Sequence, residues 1–225
     1  MNNKKIAIIA AVLVIIIASL GASYAFSLFG GPTTDFDNQF MSGKFTGEVT
    51  QNKIDQNLSF AEWTDSYTDK ERNITYNMSC IKGGSFLTDM YQLQGMAAPE
   101  VRNFNNVPWN IFYSQAVPTN DSNDSANSSA IDNSSIIHVY ICQANVDGVS
   151  YMINIIAYDN ESIECDGTLY CKYFKEDIQP LLESITLKDA KKAPQMYKVL
   201  NMSKEDFNSL QDYIEQVKAG NVTAQ

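Results

Sequence analysis

The first 29 residues carry the strongest hydrophobic pattern in the chain. Residues 6–29 are 24 in number and hold no charge. At about 1.5 Å per helical residue they reach about 36 Å, and a hydrocarbon core is about 30 Å thick. Lys4 and Lys5 precede the run, and the first charges beyond it are Asp35 and Asp37. Basic flanks stay on the cytoplasmic side. The pattern therefore predicts a single transmembrane helix over 6–29, a cytoplasmic stub over 1–5 and a main body outside the cell membrane. A cleaved signal peptide is the competing reading, with residues 6–20 as its core and Ser23-Tyr24-Ala25 as a cleavage site. Residues 30–41 open with Gly30-Gly31-Pro32 and read as a spacer.

Beyond the spacer the periods alternate between two and about 3.6. Residues 44–51 and 61–67 read as strands. Residues 73–80 alternate, with Ile74, Tyr76, Met78 and Cys80 on one face and Asn73, Thr75, Asn77 and Ser79 on the other. That is a half-buried strand with one wet face. Gly83-Gly84 breaks the chain, and Ser85 is placed to cap a helix running to about residue 94, with Phe86, Met90 and Leu93 on its apolar side. Residues 107–117 return as a strand. Residues 118–135 are too polar for a core and read as a disordered loop. Residues 136–146 and 149–158 are the most apolar strands, and Asp147-Gly148 between them signals a tight hairpin. Residues 171–187 read as a helix with Phe174, Ile178, Leu181, Leu182 and Ile185 buried and Pro180 as a kink or a fresh start. A polar linker follows. Ser203 then caps a last amphipathic helix over 204–219, with Phe207, Leu210, Ile214 and Val217 as its stripe and Gly220 as its stop. That helix either docks on the main body or takes a partner.

The element order predicts an α+β domain over 42–188, an antiparallel sheet packed with helices, with 189–225 as linker and C-terminal helix. The strand–helix–strand–loop–hairpin–helix order, closing on YFKEDIQPLLESITLK, resembles the PsbP-like domains of exported prokaryotic proteins. The resemblance spans about residues 40–188 and is one of pattern, without a diagnostic motif. It implies an α-β-α sandwich and a role in assembly or binding rather than catalysis. No functional residue carries over from it.

Composition narrows the chemistry. The net charge is −10, which disfavours nucleic acid as a partner. Arginine occurs only at Arg72 and Arg102 beside abundant Lys, Asn and Ile, the bias of an AT-rich prokaryotic genome. Asn-x-Ser/Thr occurs at Asn57, Asn73, Asn77, Asn120, Asn123, Asn127, Asn133, Asn160, Asn201 and Asn221. In an exported chain these are candidate N-glycosylation sites of a surface glycoprotein. Four cysteines in such a chain suggest two disulfide bonds. Asp166-Gly167 offers a turn between Cys165 and Cys171, which pairs those two and leaves Cys80 with Cys142.

Catalytic signatures are missing from this pattern. His138 is the only histidine and sits in an apolar strand, IIHVYIC, as a structural residue. No phosphate loop and no His-Glu-x-x-His motif occurs. Asp159, Glu161, Glu164 and Asp166 form a weak Ca²⁺ candidate without EF-hand spacing. Asp65, Asp69 and Glu71 read as a polar turn. No cofactor is expected. The sequence thus points to a single-pass, extracytoplasmic, non-enzymatic domain that binds an unknown partner or stabilises a surface assembly. A small-ligand or cell-wall-glycan binding module, using the aromatic residues, is the alternative; an enzyme of unknown type is the third.

Overall fold

The computed structural model describes residues 33–58, 60–116, 136–159 and 173–221. The predicted anchor over 6–29 and the polar loop over 118–135 lie outside them. Among the described residues no helix is long and apolar enough to cross a membrane.

The fold is mixed and dominated by antiparallel sheet. Among the described residues ten strands run in chain order: β1 Thr33–Asp37, β2 Met41–Thr46, β3 Val49–Gln51, β4 Thr64–Asp69, β5 Ile74–Lys82, β6 Glu100–Phe104, β7 Val107–Ala116, β8 Ile136–Val146, β9 Val149–Asp159 and β10 Thr186–Leu187. Seven of them form one sheet in the order β3-β4-β5-β9-β8-β7-β6, and β1-β2-β10 form a smaller one. Four α-helices accompany them among the described residues: α1 Leu87–Leu93, α2 Gln179–Ser184, α3 Met196–Val199 and α4 Lys204–Lys218. A turn of π-helix, Phe174–Ile178, leads into α2.

Several expected elements shift. Thr33 to Asp37, read as spacer, is a strand, because every residue of it pairs with β2. The strand expected over 44–51 is cut at Gly47, whose φ of +97° turns the chain from one sheet to the other. Thr34 stitches the break: its hydroxyl donates to the Gly47 carbonyl at 2.7 Å and accepts the Val49 N–H at 3.0 Å. β6 was not foreseen. A two-residue turn at Asn105 and Asn106, both at positive φ, folds it onto β7. Asn tolerates that left-handed conformation, as the twist of a tight hairpin requires. The β8–β9 hairpin turns at Asp147-Gly148, with Val146 opposite Val149 and both turn residues at positive φ.

Both faces of the large sheet are buried at its centre. On one face β5, β9, β8 and β7 align Tyr76, Ile155, Tyr140 and Tyr113 in one row. The π turn, α2 and the small sheet cover this face with Phe36, Phe45, Phe174, Ile178 and Leu181. The other face meets α1 and α4. Tyr91 packs edge-on to Phe112 at 5.3 Å, and Phe86 of the turn into α1 packs on Phe207 of α4 at the same distance. The expected wet face of β5 is not wet: Thr75, Asn77 and Ser79 are all buried. A strand central to a sheet with layers on both sides loses the contrast that period two implies.

The helices also depart in detail. Ser85 does not cap α1 with its side chain; Phe86 holds the cap position. Leu87 and Tyr91 join Phe86 and Met90 in the buried stripe, and Leu93 stays exposed. The helix expected over 171–187 is described from residue 173. It is a π turn, then α2, and it ends in the extended Ile185 before β10. Pro180 in the first turn of α2 has no N–H to close an ordinary helical bond, and the wider turn lies immediately upstream. The stretch read as a polar linker lies on the body: Ala190, Ala193 and Met196 are buried, and the Lys82 N–H donates to the Pro194 carbonyl at 2.9 Å.

Candidate functional site

Among the described residues two places gather chemistry. The first is interior. Asp69, at the end of β4, accepts the N–H groups of Glu71 and Arg72 on one carboxylate oxygen, both at 3.0 Å. This fixes the turn into β5 and points Arg72 back toward the small sheet. There Arg72 donates to the Thr46 carbonyl at 3.2 Å and forms an ion pair with Asp177 of the π turn. Gly47 allows the approach, since a Cβ there would lie 2.4 Å from the second Asp69 oxygen. Asp177 is 1% exposed. Burial raises its pKa to about 7, against the opposing pull of Arg72; Glu176 and Asp69 add to the rise. Burial likewise raises the pKa of Asp69 and Tyr76.

The cluster continues along the sheet. The Tyr113 hydroxyl lies 2.9 Å from His138 Nδ1, and the two rings stack. Tyr173 closes over His138 at 5.3 Å and donates its hydroxyl to Asp159 at 2.9 Å. Tyr140, fully buried, packs on Tyr113 at 4.6 Å. His138 is fully buried within β8. Carboxylates and an imidazole thus converge beneath the π turn, but in a packed layer between two sheets rather than in a cleft.

The second place is a surface pocket of about 430 Å³ at the opposite end of the sheet. The β8–β9 turn supplies Val146, Asp147 and Val149, the strand ends supply Lys82 and Tyr151, and the segment after β10 supplies Lys188, Asp189 and Lys191. The Tyr151 hydroxyl donates to the Lys188 carbonyl at 2.7 Å and fixes that segment against the hairpin. Apart from Asp147, read as a hairpin turn, none of these residues carried a signal at the sequence level. Their only shared mark is a run of lysines after β10, which reads as a solvated linker.

The predicted site residues separate accordingly. Cys80 and Cys142 do not bond: both are free thiols, fully buried. They lie on β5 and β8 with β9 between them, opposite Tyr151 and Ile153 respectively. Two strand spacings are about 9–10 Å, beyond the roughly 7 Å limit for a disulfide between Cα atoms. Burial pushes the Cys80 thiol up to about 12 and that of Cys142 higher still, so both are inert core residues. Cys165 and Cys171 lie outside the described residues, as do Asn120, Asn123, Asn127, Asn133, Asn160, Glu161, Glu164 and Asp166. Asp159, the described member of the Ca²⁺ candidate, accepts from Tyr173. Asn57, Asn201 and Asn221 are exposed, and Asn73 is half-buried at the β4–β5 turn. Asn77 is 2% exposed inside β5, directly opposite Asn154 of β9, so its amide is out of reach of a glycan in the folded chain. The aromatic residues weighed as a glycan platform fill the core, Trp109, Tyr76, Tyr140 and Phe112 among them.

No family model matches the sequence, and a search of curated proteins returned no significant match. Among solved structures, a crystal structure at 1.50 Å from Bacteroides thetaiotaomicron has a TM-score of 0.44 at 5% identity. The alignment covers 71% of this chain and 49% of that one, so the chain spans about half the length of that protein.

Proposed function

We propose that this chain is a membrane-anchored, extracytoplasmic, non-enzymatic domain that binds a protein partner or stabilises a surface assembly. The anchor is the run over 6–29, with the N-terminus in the cytoplasm. The observation that carries the reading is the closed state of the interior cluster. Asp69, His138, Tyr140 and Asp177 are each at most 1% exposed, so the groups best suited to acid–base chemistry hold layers together instead of meeting a substrate. We read the layering as a variant of the α-β-α sandwich of PsbP-like domains, with a second small sheet added on one side. The exposed Asn57, Asn201 and Asn221 are the preferred glycan acceptors among the described sequons.

The test is cross-linking on intact cells, followed by solubilisation and identification of what co-purifies. A protein partner in near-equal amount supports the reading. A turnover reaction that depends on the outer domain overturns it. A second reading, a small-ligand module, is favoured by the lysine-rimmed pocket beside the β8–β9 turn.

A further inference from the structure

The pocket places three lysines, Lys82, Lys188 and Lys191, on a chain of net charge −10. Their commitments differ. Lys188 is tied to Asp37 and to the Asn38 carbonyl, which anchors β10 to β1. Lys191 pairs with Asp189 at 2.9 Å, and both side chains stand largely in water, 88% and 61% exposed. Such a pair is weak and easily exchanged for another anion. Lys82 is half-buried at the end of β5 and donates to the Lys191 carbonyl at 2.5 Å. It has no carboxylate within ion-pair distance among the described residues. Asp189 lies within Coulombic reach of Lys82 but beyond ion-pair distance. An ammonium group has three donors, and the Lys191 carbonyl takes one of them. Facing the lysines is an apolar wall of Val146, Val149, Tyr151 and Leu187. The volume suits a small molecule.

We propose that this pocket binds a small monocarboxylate. Its carboxylate sits on Lys82, with Lys191 swinging from Asp189 to close over it. Its apolar body lies on Val149, Tyr151 and Leu187. Asp147 and Asp189 on the rim repel a second negative charge, which selects a monoanion over a phosphate. The inference rests on the small-ligand reading above and names the ligand class of that pocket.

The test uses the full chain in a non-ionic detergent, titrated calorimetrically with acetate, hexanoate and benzoate, with inorganic phosphate for comparison and detergent alone as the blank. Hexanoate or benzoate is expected to saturate the wild type, more tightly than acetate or phosphate and more weakly as salt is added. Lys82→Met is expected to weaken binding about tenfold or more, by removing a charge-assisted bond. Lys192→Met, the same charge change outside the pocket, leaves binding unchanged. If Lys82→Met lowers the melting temperature enough to obscure the result, Lys191→Met removes an exposed side chain and is expected to weaken binding several-fold. No binding by any of the three acids, equal binding to Lys82→Met or Lys191→Met, or preference for phosphate overturns the inference. Absence of a co-purified protein bears on the assembly reading alone.

Discussion

At the scale of single residues, the chain places its ionisable side chains where they hold layers together. Asp177 makes this measurable. Its pKa in the folded state, about 7, stands above its ordinary value of 3.8, so the folded chain holds this proton more tightly than the unfolded chain does. The stability it contributes is complete below about pH 4 and is lost as the pH rises through about 7. Arg72, Asp69 and Tyr76 face it from neighbouring elements, Glu176 stands beside it in the π turn, and all four stay the same in an Asp177→Asn variant. Urea denaturation between pH 4 and 7.5 is expected to show the wild type losing stability with rising pH more steeply than Asp177→Asn. Parallel slopes would remove Asp177 as the cause. Gly47 is the second such position. Alanine there meets both a φ of +97° and the Asp69 carboxylate at 2.4 Å, and is expected to cost about 1–3 kcal/mol or more in the same assay. The two described thiols supply a third expectation. Cys80 and Cys142 should resist alkylation in the folded chain and both react after unfolding without reductant. A shift to reactivity only after reduction would contradict the separation of β5 and β8.

At the scale of elements, local chemistry explains most of what forms and tertiary contact explains where it lies. α4 begins where Ser203 accepts the Asp206 N–H at 3.0 Å and ends at Gly220, both readable from sequence. That it lies against α1 follows from Phe207 meeting Phe86 and from Lys218 pairing with Asp89 at 2.7 Å. The two contacts differ in weight. Phe207 is buried, so Phe207→Ala is expected to cost about 3 kcal/mol or more and to raise hydrogen exchange across α4. The Lys218 ammonium is half exposed, and Lys218→Ala is expected to cost under about 1 kcal/mol. β6 escaped the sequence reading because its hydrophobic content is low and its turn is Asn-Asn rather than the stronger Asn-Gly signal. Pro108, at the start of β7, marks a limit of pairing. β7 meets β8 from Trp109 onward, while β8 runs on to Val146, because a proline at 108 has no N–H to give to Asn145.

At the scale of the whole molecule, the proposed topology predicts that protease treatment of intact cells removes residues beyond 29 and spares residues 1–5. Protection of the large domain would place it on the other side of the membrane. The major strands, the β8–β9 hairpin and the last helix were legible in the sequence, because each depends on neighbours a few residues away. The apolar run over 6–29 and the absence of a catalytic motif are likewise properties of the chain read in order. The pairing of Cys80 with Cys142 failed because elimination among cysteines ignores strand order, and strand order put β9 between them. The wet face of β5 failed because whether a sheet face is covered depends on what packs on it from elsewhere in the fold, which the strand's own alternation does not carry. The lysine pocket and the Asp69–Arg72–Asp177 tie were illegible for the same reason. Their members come from segments far apart in sequence, and only packing brings them within the few ångströms over which charge and hydrogen bonding act.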